Sequence, residues 1–477
     1  MSGAGLSPAD LAELAAEGIA PAEAERQLAL LRQPPTKARL VRACTPGDGI
    51  ERLPAARQEE LFRLGDAARR AGRSSKFVPA SGAATRMFGE LEAVRRRHPA
   101  ATAAELAELA AAGSAEALAA VRFVAAVPRL ALGEAWATHL GIAPAELVRR
   151  LASEPVGALL ATLLDEDGFA AAAAPKALLA FHRAPDGPCT AFAEQLREGL
   201  AYLVDDALVA RYHFTVAPGE RPAFERALAA ERARLGGSAQ LEVGFSEQSR
   251  ATHTLALDAR GEPARGADGR LLLRPAGHGA LVGNLEASGG DIVLVKNIDN
   301  VLPAARHAEI GRWKTILVGR LLELAATRGR GAAPARVAGV VANTGEPGGG
   351  PFWVAGRDRT PSLQIVEGSE VELAEPQQAA IWRSSTHFNP VDLALTLRDA
   401  SGAPYRLDAF VDPAASLVTR RSESGRELTV LERPGLWNGG MAGWETLFVE
   451  VPAWTFAPVK TVLDLSRAEH LAGRGES

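Results

Sequence analysis

The chain has 477 residues, with 53 Lys or Arg against 57 Asp or Glu, a net charge of −4 with histidine neutral. That balance excludes a strongly basic nucleic-acid binder, and 47% hydrophobic residues exclude a disordered chain. The two cysteines, Cys44 and Cys189, have no CxxC spacing, which excludes a disulfide framework and a zinc ribbon.

Residues 1–6 lack the basic-then-apolar pattern of a secretory leader. The longest apolar runs, such as 155–164, are too short to span a bilayer. A cytoplasmic chain with neither a membrane nor a nucleic-acid partner is expected. Ser7-Pro8-Ala9-Asp10 opens a helix with a cap, an early proline and an early acid. Pro21 opens a second helix, and 55–72 form a third amphipathic run that stops at Gly72. Residues 1–72 therefore read as an N-terminal helical extension. A short strand at 75–80 runs into Ser81-Gly82-Ala83-Ala84-Thr85-Arg86. Residues 88–172, rich in Ala, Leu and Glu, read as a helical insertion. Beyond 176, strands are expected at 177–182, 211–216, 241–245, 271–274, 291–296, 337–342, 363–366 and 445–451. Helices are expected at 190–207, 221–234, 278–287 and 303–328. The alternation predicts an α/β domain over 73–465, with a mostly parallel sheet covered on both faces and a tail at 466–477.

Three segments carry chemistry. A strand feeding the small residues of 81–84 and then a helix lets backbone N–H groups approach a phosphate chain, with Arg86 able to neutralise it; the same residues also suit a plain tight turn. The buried strand 291–296 ends in Asn297-Ile298-Asp299-Asn300, where Asp299 suits either a hard cation or an Asx turn. Gly277 and Gly279 flank His278 at a helix start, which suits a flat ring lying on the backbone or simply unusual dihedrals. Pro175-Lys176 and Phe456-Ala457-Pro458-Val459-Lys460-Thr461 each set a lysine near a proline. Lysine is scarce: Lys37, Lys76, Lys176, Lys296, Lys314 and Lys460 are the six in the chain. Four of them fall in or beside these segments, which predicts positions that need a compact ammonium rather than a fork.

Taken in order, these segments resemble the sugar nucleotidyltransferases, and among them the UDP-sugar pyrophosphorylases of the N-acetylhexosamine and glucose types. The resemblance covers 75–465. It rests on Ala80 to Arg86, Pro175-Lys176, Phe245 with Gln248, Asp268-Gly269, Pro275 to Gly279 with Leu281 and Leu285, Asp299-Asn300, Gly339-Val340-Val341, Gln364 to Glu367, Asn389 and Phe456 to Thr461. The whole chain also resembles the uncharacterised bacterial family called domain of unknown function 4301. The resemblance implies a nucleotidyltransferase (GT-A, Rossmann-like) fold. It implies attack by a sugar-1-phosphate oxygen on the α-phosphorus of UTP, with release of pyrophosphate. Arg86 and Lys176 then hold the triphosphate, with Ser81, Gly82 and Ala83 along it, and Lys460 brings the sugar phosphate. Asp299 holds Mg²⁺; Gln248, Gly277, His278 and Gly279 bind the base; Glu367 and Asn389 contact the sugar. Two rivals stand beside this reading. A GT-A glycosyltransferase usually needs Asp-x-Asp, where this chain has Asn-Ile-Asp-Asn. A catalytically silent nucleotide-sugar binder is suggested by Ser81 and Ala84, which stand where the family has glycine. The pattern sets no oligomeric state.

Overall fold

The run Ile292–Lys296 is apolar at four of five positions and every residue of it is buried, the composition of a strand covered on both faces. In the computed structural model the described residues are 5–471, apart from 238, 328–332, 346–347, 357–359 and 424–425. Among them, that strand lies in a sheet of nine: β1 Thr45–Pro46, β2 Gly49–Glu51, β3 Ser74–Pro79, β4 Val209–Val216, β5 Gln240–Glu247, β6 Ile292–Lys296, β7 Ala335–Ala342, β8 His387–Thr396 and β9 Glu445–Glu450. The order across the sheet is β1-β2-β9-β7-β8-β6-β3-β4-β5. Only β8 runs against the rest, antiparallel to both β6 and β7. The other pairings, such as β6 with β3 and β7 with β9, are parallel. The mixed, mostly parallel α/β class is therefore present.

Side chains alternate between the two faces. Val78, Phe214, Ile292, Leu294, Val337, Ala394 and Val449 belong to one core. Phe77, Val293, Val295, Ala338, Val340, Leu393 and Phe448 belong to the other. Among the described residues the helices are α1 Pro8–Ala16, α2 Pro21–Arg32, α3 Ala55–Arg70, six between 89 and 164 (α4 to α9), α10 Ala191–Leu203, α11 Arg221–Leu235, α12 Val282–Ala287, α13 His307–Ala326, α14 Pro376–Arg383 and α15 Ala468–Leu471. On the first face α3 and α13 cross at two glycines. A Cβ at Gly65 would run into the Thr315 carbonyl, and one at Gly319 into that of Leu61. Helices α4 to α9 join the same core through Leu106, Phe123, Trp136, Leu147 and Leu160.

The expected strands at 75–80, 211–216, 241–245, 291–296, 337–342 and 445–451 are β3, β4, β5, β6, β7 and β9. Three others take different partners. Residues 176–178 form a 3₁₀ turn, and Ala180–Ala184 pairs with Gly187–Thr190 in a separate hairpin. Residues 271–274 make isolated bridges at Leu271 and Arg274. Pro361–Val366 lies in a three-stranded sheet with Leu40–Ala43 and Gly350–Ala355. The stretch 1–72, read as helical, holds three short strands between α2 and α3. Helices α1 and α2 lie on the 253–274 segment: Leu14, Leu28 and Leu31 pack with Leu255, Leu257, Leu271 and Leu431. There Arg265 forks onto Asp10 at 2.9 and 3.0 Å. Of the tail 466–477, residues 472–477 lie outside the described residues. No helix among the described residues is long and apolar enough to cross a membrane.

Candidate functional site

The parallel strands end along one edge, and in open α/β sheets that edge is where ligands sit. Leaving β3, Ala80 N–H donates to the Thr215 carbonyl of β4 (2.9 Å). The chain then makes the 81–84 loop and the 3₁₀ turn Thr85–Phe88. The loop is laced to the lysine segment: Ala84 N–H donates to Ala174 O (3.1 Å) and Lys176 N–H to Gly82 O (3.0 Å). Gly82, Ala83, Thr85 and Arg86 are exposed. Positive φ in non-glycine residues occurs among the described residues at Ala170, Leu208 and Val391, not at Ser81 or Ala84. The two Cβ atoms that depart from the family pattern therefore sit on unstrained backbone.

Leaving β6, the chain brings Asp299 between two lysines. Lys176 Nζ lies 2.8 Å and Lys460 Nζ 3.1 Å from the same carboxylate oxygen, Oδ2. The Asp299 and Lys176 side chains are 11% and 13% exposed, that of Lys460 54%. Burial alone raises the Asp299 pKa, but the two ammonium groups outweigh it and hold the carboxyl below its ordinary range. Burial pushes Lys176 below the usual lysine range, with Asp299 opposing. The segments are fixed from behind. Gln195 on α10 donates to the carbonyls of Asn297 (2.8 Å) and Ile298 (3.4 Å). Asn300 Oδ1 accepts from Ala457 N–H (3.0 Å), and Val459 N–H donates to Asp299 O (3.1 Å). Asp464 Oδ2 accepts the N–H groups of Lys460 and Thr461, both at 2.7 Å.

Lys76 and Lys296, expected beside the phosphate loop and the metal aspartate, are instead in the core. Lys76 is fully buried and Lys296 2% exposed. Both meet Glu198 of α10, at 3.2 and 2.5 Å. Burial pushes Lys76 down to about 8 against the pull of Glu198. Lys314, equally buried, pairs with Asp392.

A second group of expected residues gathers on the 432–438 segment. The His278 ring stacks on Trp437, with centroids 4.1 Å apart and planes 14° from parallel. Its Nδ1 accepts from Leu436 N–H (2.9 Å), and burial pushes it down to about 4. The ring is therefore neutral, with its proton on Nε2. Gly277 has φ +73°, and a Cβ on Gly279 would run into the Pro434 carbonyl. Gly279 is thus a close-packing glycine. Half-buried Gln248 donates to Thr252 Oγ1 (3.3 Å), and Arg433 Nε donates to the Thr252 carbonyl (3.0 Å). Burial first, then Glu432, raises the pKa of Glu367. Its neighbour Glu370 accepts from Asn438 Nδ2 (2.8 Å) and is pushed up to about 7 by burial. Asn389 is buried, and its amide is engaged by backbone: Nδ2 donates to Gly339 O (2.7 Å) and Oδ1 accepts from Val391 N–H (3.0 Å). It shapes the bulge in β8, where Val391 takes φ +60°. A cavity of about 1140 Å³ adjoins Glu370 and Asn438, with Lys37, Gln364 and Asp412 also on its wall. Asp299 and its lysines are not part of that wall.

Gln195, Glu198 and Glu370 lie outside the motifs legible in the sequence, whereas Asp464 follows the Phe456–Thr461 motif in step. A signal existed for the first two. Glu194, Gln195 and Glu198 stand on one face of a helix that is otherwise largely apolar, and buried polar residues are seldom idle.

Two matches to the family span 7–330 and 329–471. The chain belongs to the family described as domain of unknown function (DUF4301). No curated protein matches it by sequence. Among solved structures it is similar to the uridine diphosphate N-acetylglucosamine pyrophosphorylase of Trypanosoma brucei, with 13% identity, TM-score 0.49, and 95% of this chain and 76% of that chain covered. It is also similar to a UDP-glucose pyrophosphorylase variant of Leishmania major in complex with UDP-glucose, with 13% identity, TM-score 0.49, and 98% and 78% covered. A UDP-glucose phosphorylase of Trypanosoma brucei gives 14% identity, TM-score 0.48, and 97% and 78% covered. Residue roles in this family member rest on its own geometry.

Proposed function

We propose that this protein is a sugar-1-phosphate nucleotidyltransferase. An oxygen of the sugar phosphate attacks the α-phosphorus of a nucleoside triphosphate, with UTP the expected one. A new P–O bond forms, the α–β anhydride bond breaks, and pyrophosphate leaves with the electron pair. One observation carries the reading: two ammonium groups converge on one oxygen of a single buried carboxylate, beside a loop of exposed backbone at the carboxyl edge of the sheet. That grouping has one positive charge in excess, so it favours an anion. Phosphoryl transfer asks the protein chiefly for positioning and charge neutralisation.

Lys176, held by burial, takes the triphosphate side with Arg86 and the N–H groups of 81–83. Lys460, the exposed one, leaves Asp299 for the sugar phosphate and relieves its repulsion with the α-phosphate. Each charged contact contributes about 1.5–3 kcal/mol. With Lys460 drawn off to the sugar phosphate, Asp299 would offer one carboxylate to a Mg²⁺ carried in by the substrate phosphates. Among the described residues no group of three His, Cys, Asp or Glu can hold a metal by itself. When bound there, Mg²⁺ supplies charge neutralisation. The base falls to Gln248 and the 277–279 turn, and the sugar to Glu367. Asn389 serves that side through the bulge it holds.

The test is a pyrophosphate-release screen of UTP, CTP, GTP and ATP against a panel of sugar 1-phosphates with Mg²⁺. Release that needs both substrates, and is abolished in Lys460→Ala and Asp299→Asn while both variants stay folded, supports the reading. Transfer of sugar from a nucleotide sugar without pyrophosphate chemistry replaces it with a glycosyltransferase. UTP binding without exchange of labelled pyrophosphate replaces it with a silent binder.

A further inference from the structure

We propose that Arg336 is a positioning residue for both sides of the substrate site, the pin that ties residues 436–438 to the central sheet. The inference rests on the reading that the 277–279 turn takes the base and the Glu367 side takes the sugar. Arg336 lies on β7, in register with Thr446 of β9, and is 0% exposed. Its Nε donates to Thr446 Oγ1 (2.7 Å) and its Nη1 to the Trp437 carbonyl (2.5 Å). Nη2 is buried without a hydrogen-bond partner. A buried cation ordinarily brings its counter-charge with it, as Lys76, Lys296 and Lys314 do here. Among the described residues no carboxylate pairs with Arg336, and burial alone pushes it down to about 9.

Charge pairing therefore does not account for this residue, and an apolar side chain of similar length would fill the space without burying a charge. A guanidinium supplies something else: two donors fixed in one plane. One holds the neighbouring strand through Thr446, and the other holds the Trp437 carbonyl.

The strip so held touches both sides of the site. Leu436 N–H donates to His278 Nδ1 (2.9 Å), and the Trp437 ring stacks on His278. Asn438 Nδ2 donates to Glu370 Oε2 (2.8 Å), the same oxygen that accepts Glu367 N–H (2.7 Å). Three consecutive residues thus reach the base turn and, through Glu370, the sugar carboxylate. The backbone bonds around them are local. Asn438 and Gly440 N–H donate to Gly435 O (3.0 and 2.8 Å), and Met441 N–H donates to Asn438 O (3.0 Å). Such a turn fixes its own shape, whereas its place on the sheet needs a tie from outside. Beyond the strip, the Gly439 and Ala442 carbonyls accept from Asp412 N–H and Gln364 Nε2, both at 2.9 Å, on the cavity wall. Within the strip, the tie to the core is Arg336.

The test is hydrogen exchange on the full chain, comparing wild type with Arg336→Met and Arg336→Lys. Met keeps the length and loses every donor; Lys keeps a donor and the charge. The expected result is exchange about tenfold faster at Leu436, Asn438, Gly440 and Met441 in the Met variant, with native protection in β7 and β9 and near-native values in the Lys variant. With turnover established, Met raises KM for the nucleoside triphosphate and for the sugar phosphate about tenfold, with kcat changed by less than about threefold, and Lys restores both. Native protection at 436–441 in the Met variant overturns the proposal. Equal loosening of β7 and β9 overturns it too, since Arg336 is then a packing residue, and so does a Lys variant as loose as the Met one. Should the Met variant not fold, Thr446→Val decides: it keeps volume and charge but leaves Nε unpaired. Exchange at 436–441 is then expected to rise about threefold, and native exchange there overturns the proposal. Exchange needs no substrate, so failure of this proposal is distinguishable from failure of the nucleotidyltransferase reading.

Discussion

Lysine is rare in this chain, and its placement shows why it was kept in some places. Lys76 and Lys296 bracket Glu198, whose carboxyl they hold far below its ordinary range despite full burial. A point charge on a flexible stem fits such a pocket where a planar fork does not. Lys176 and Lys460 instead bracket Asp299 at the strand ends. Lysines that look alike in sequence thus take two places, paired with Glu198 in the core or with Asp299 at the strand ends. Glu198→Gln leaves two buried ammonium groups without their counter-charge, and a loss of about 3–5 kcal/mol in a denaturant melt is expected. A loss below about 1 kcal/mol would mean that the lysines shed their protons or find other acceptors.

At the scale of the element, the glycines separate by what surrounds them. Gly279, in the turn into α12, has no room for a Cβ beside the Pro434 carbonyl, whereas nothing lies within 4 Å of a Cβ built on Gly82. Gly279→Ala is expected to destabilise by about 1–3 kcal/mol and to shift His278 off Trp437, read by melting and by near-UV dichroism of the tryptophan. Gly82→Ala is expected to change stability by less than about 0.5 kcal/mol, so that any loss of triphosphate affinity in it reports on the loop itself. Strand β8 is the element that sequence patterning missed. Pro390 removes a donor and Asp392 breaks the apolar run, so 387–396 does not read as a central strand. The bulge opposite Gly339 to Val341 absorbs the proline, Asn389 ties it down, and Lys314 meets Asp392.

At the scale of the molecule, the N-terminal helices serve as a clamp. Helices α1 and α2 cover Leu255, Leu257, Leu271 and Leu431, and Gln27 bonds the His253 carbonyl (3.2 Å) and the Leu255 N–H (2.9 Å). Arg433, beside the His278 turn, reaches back to Glu23 (2.9 Å). Removal of residues 1–36 is expected to lower the melting temperature and to open 253–274 to limited proteolysis, since burying each leucine there contributes about 1.5–3 kcal/mol. An unchanged cleavage pattern would make those helices an independent appendage.

The sequence by itself determined the class of the fold, most of the central strands, and the segments that converge on Asp299. Those depend on local matters: apolar periodicity, glycine and proline punctuation, and a polar cluster after a buried run. Only the tertiary structure decided which lysines face the site and which lie in the core. It also decided that 177–182, 271–274 and 363–366 pair away from the central sheet, that β8 exists, and that Asn389 bonds backbone. Each of these turns on partners distant in the chain. Periodicity reports whether a residue is buried, whereas the choice of what it is buried against is made by long-range pairing and by the need of each buried charge for a counter-charge.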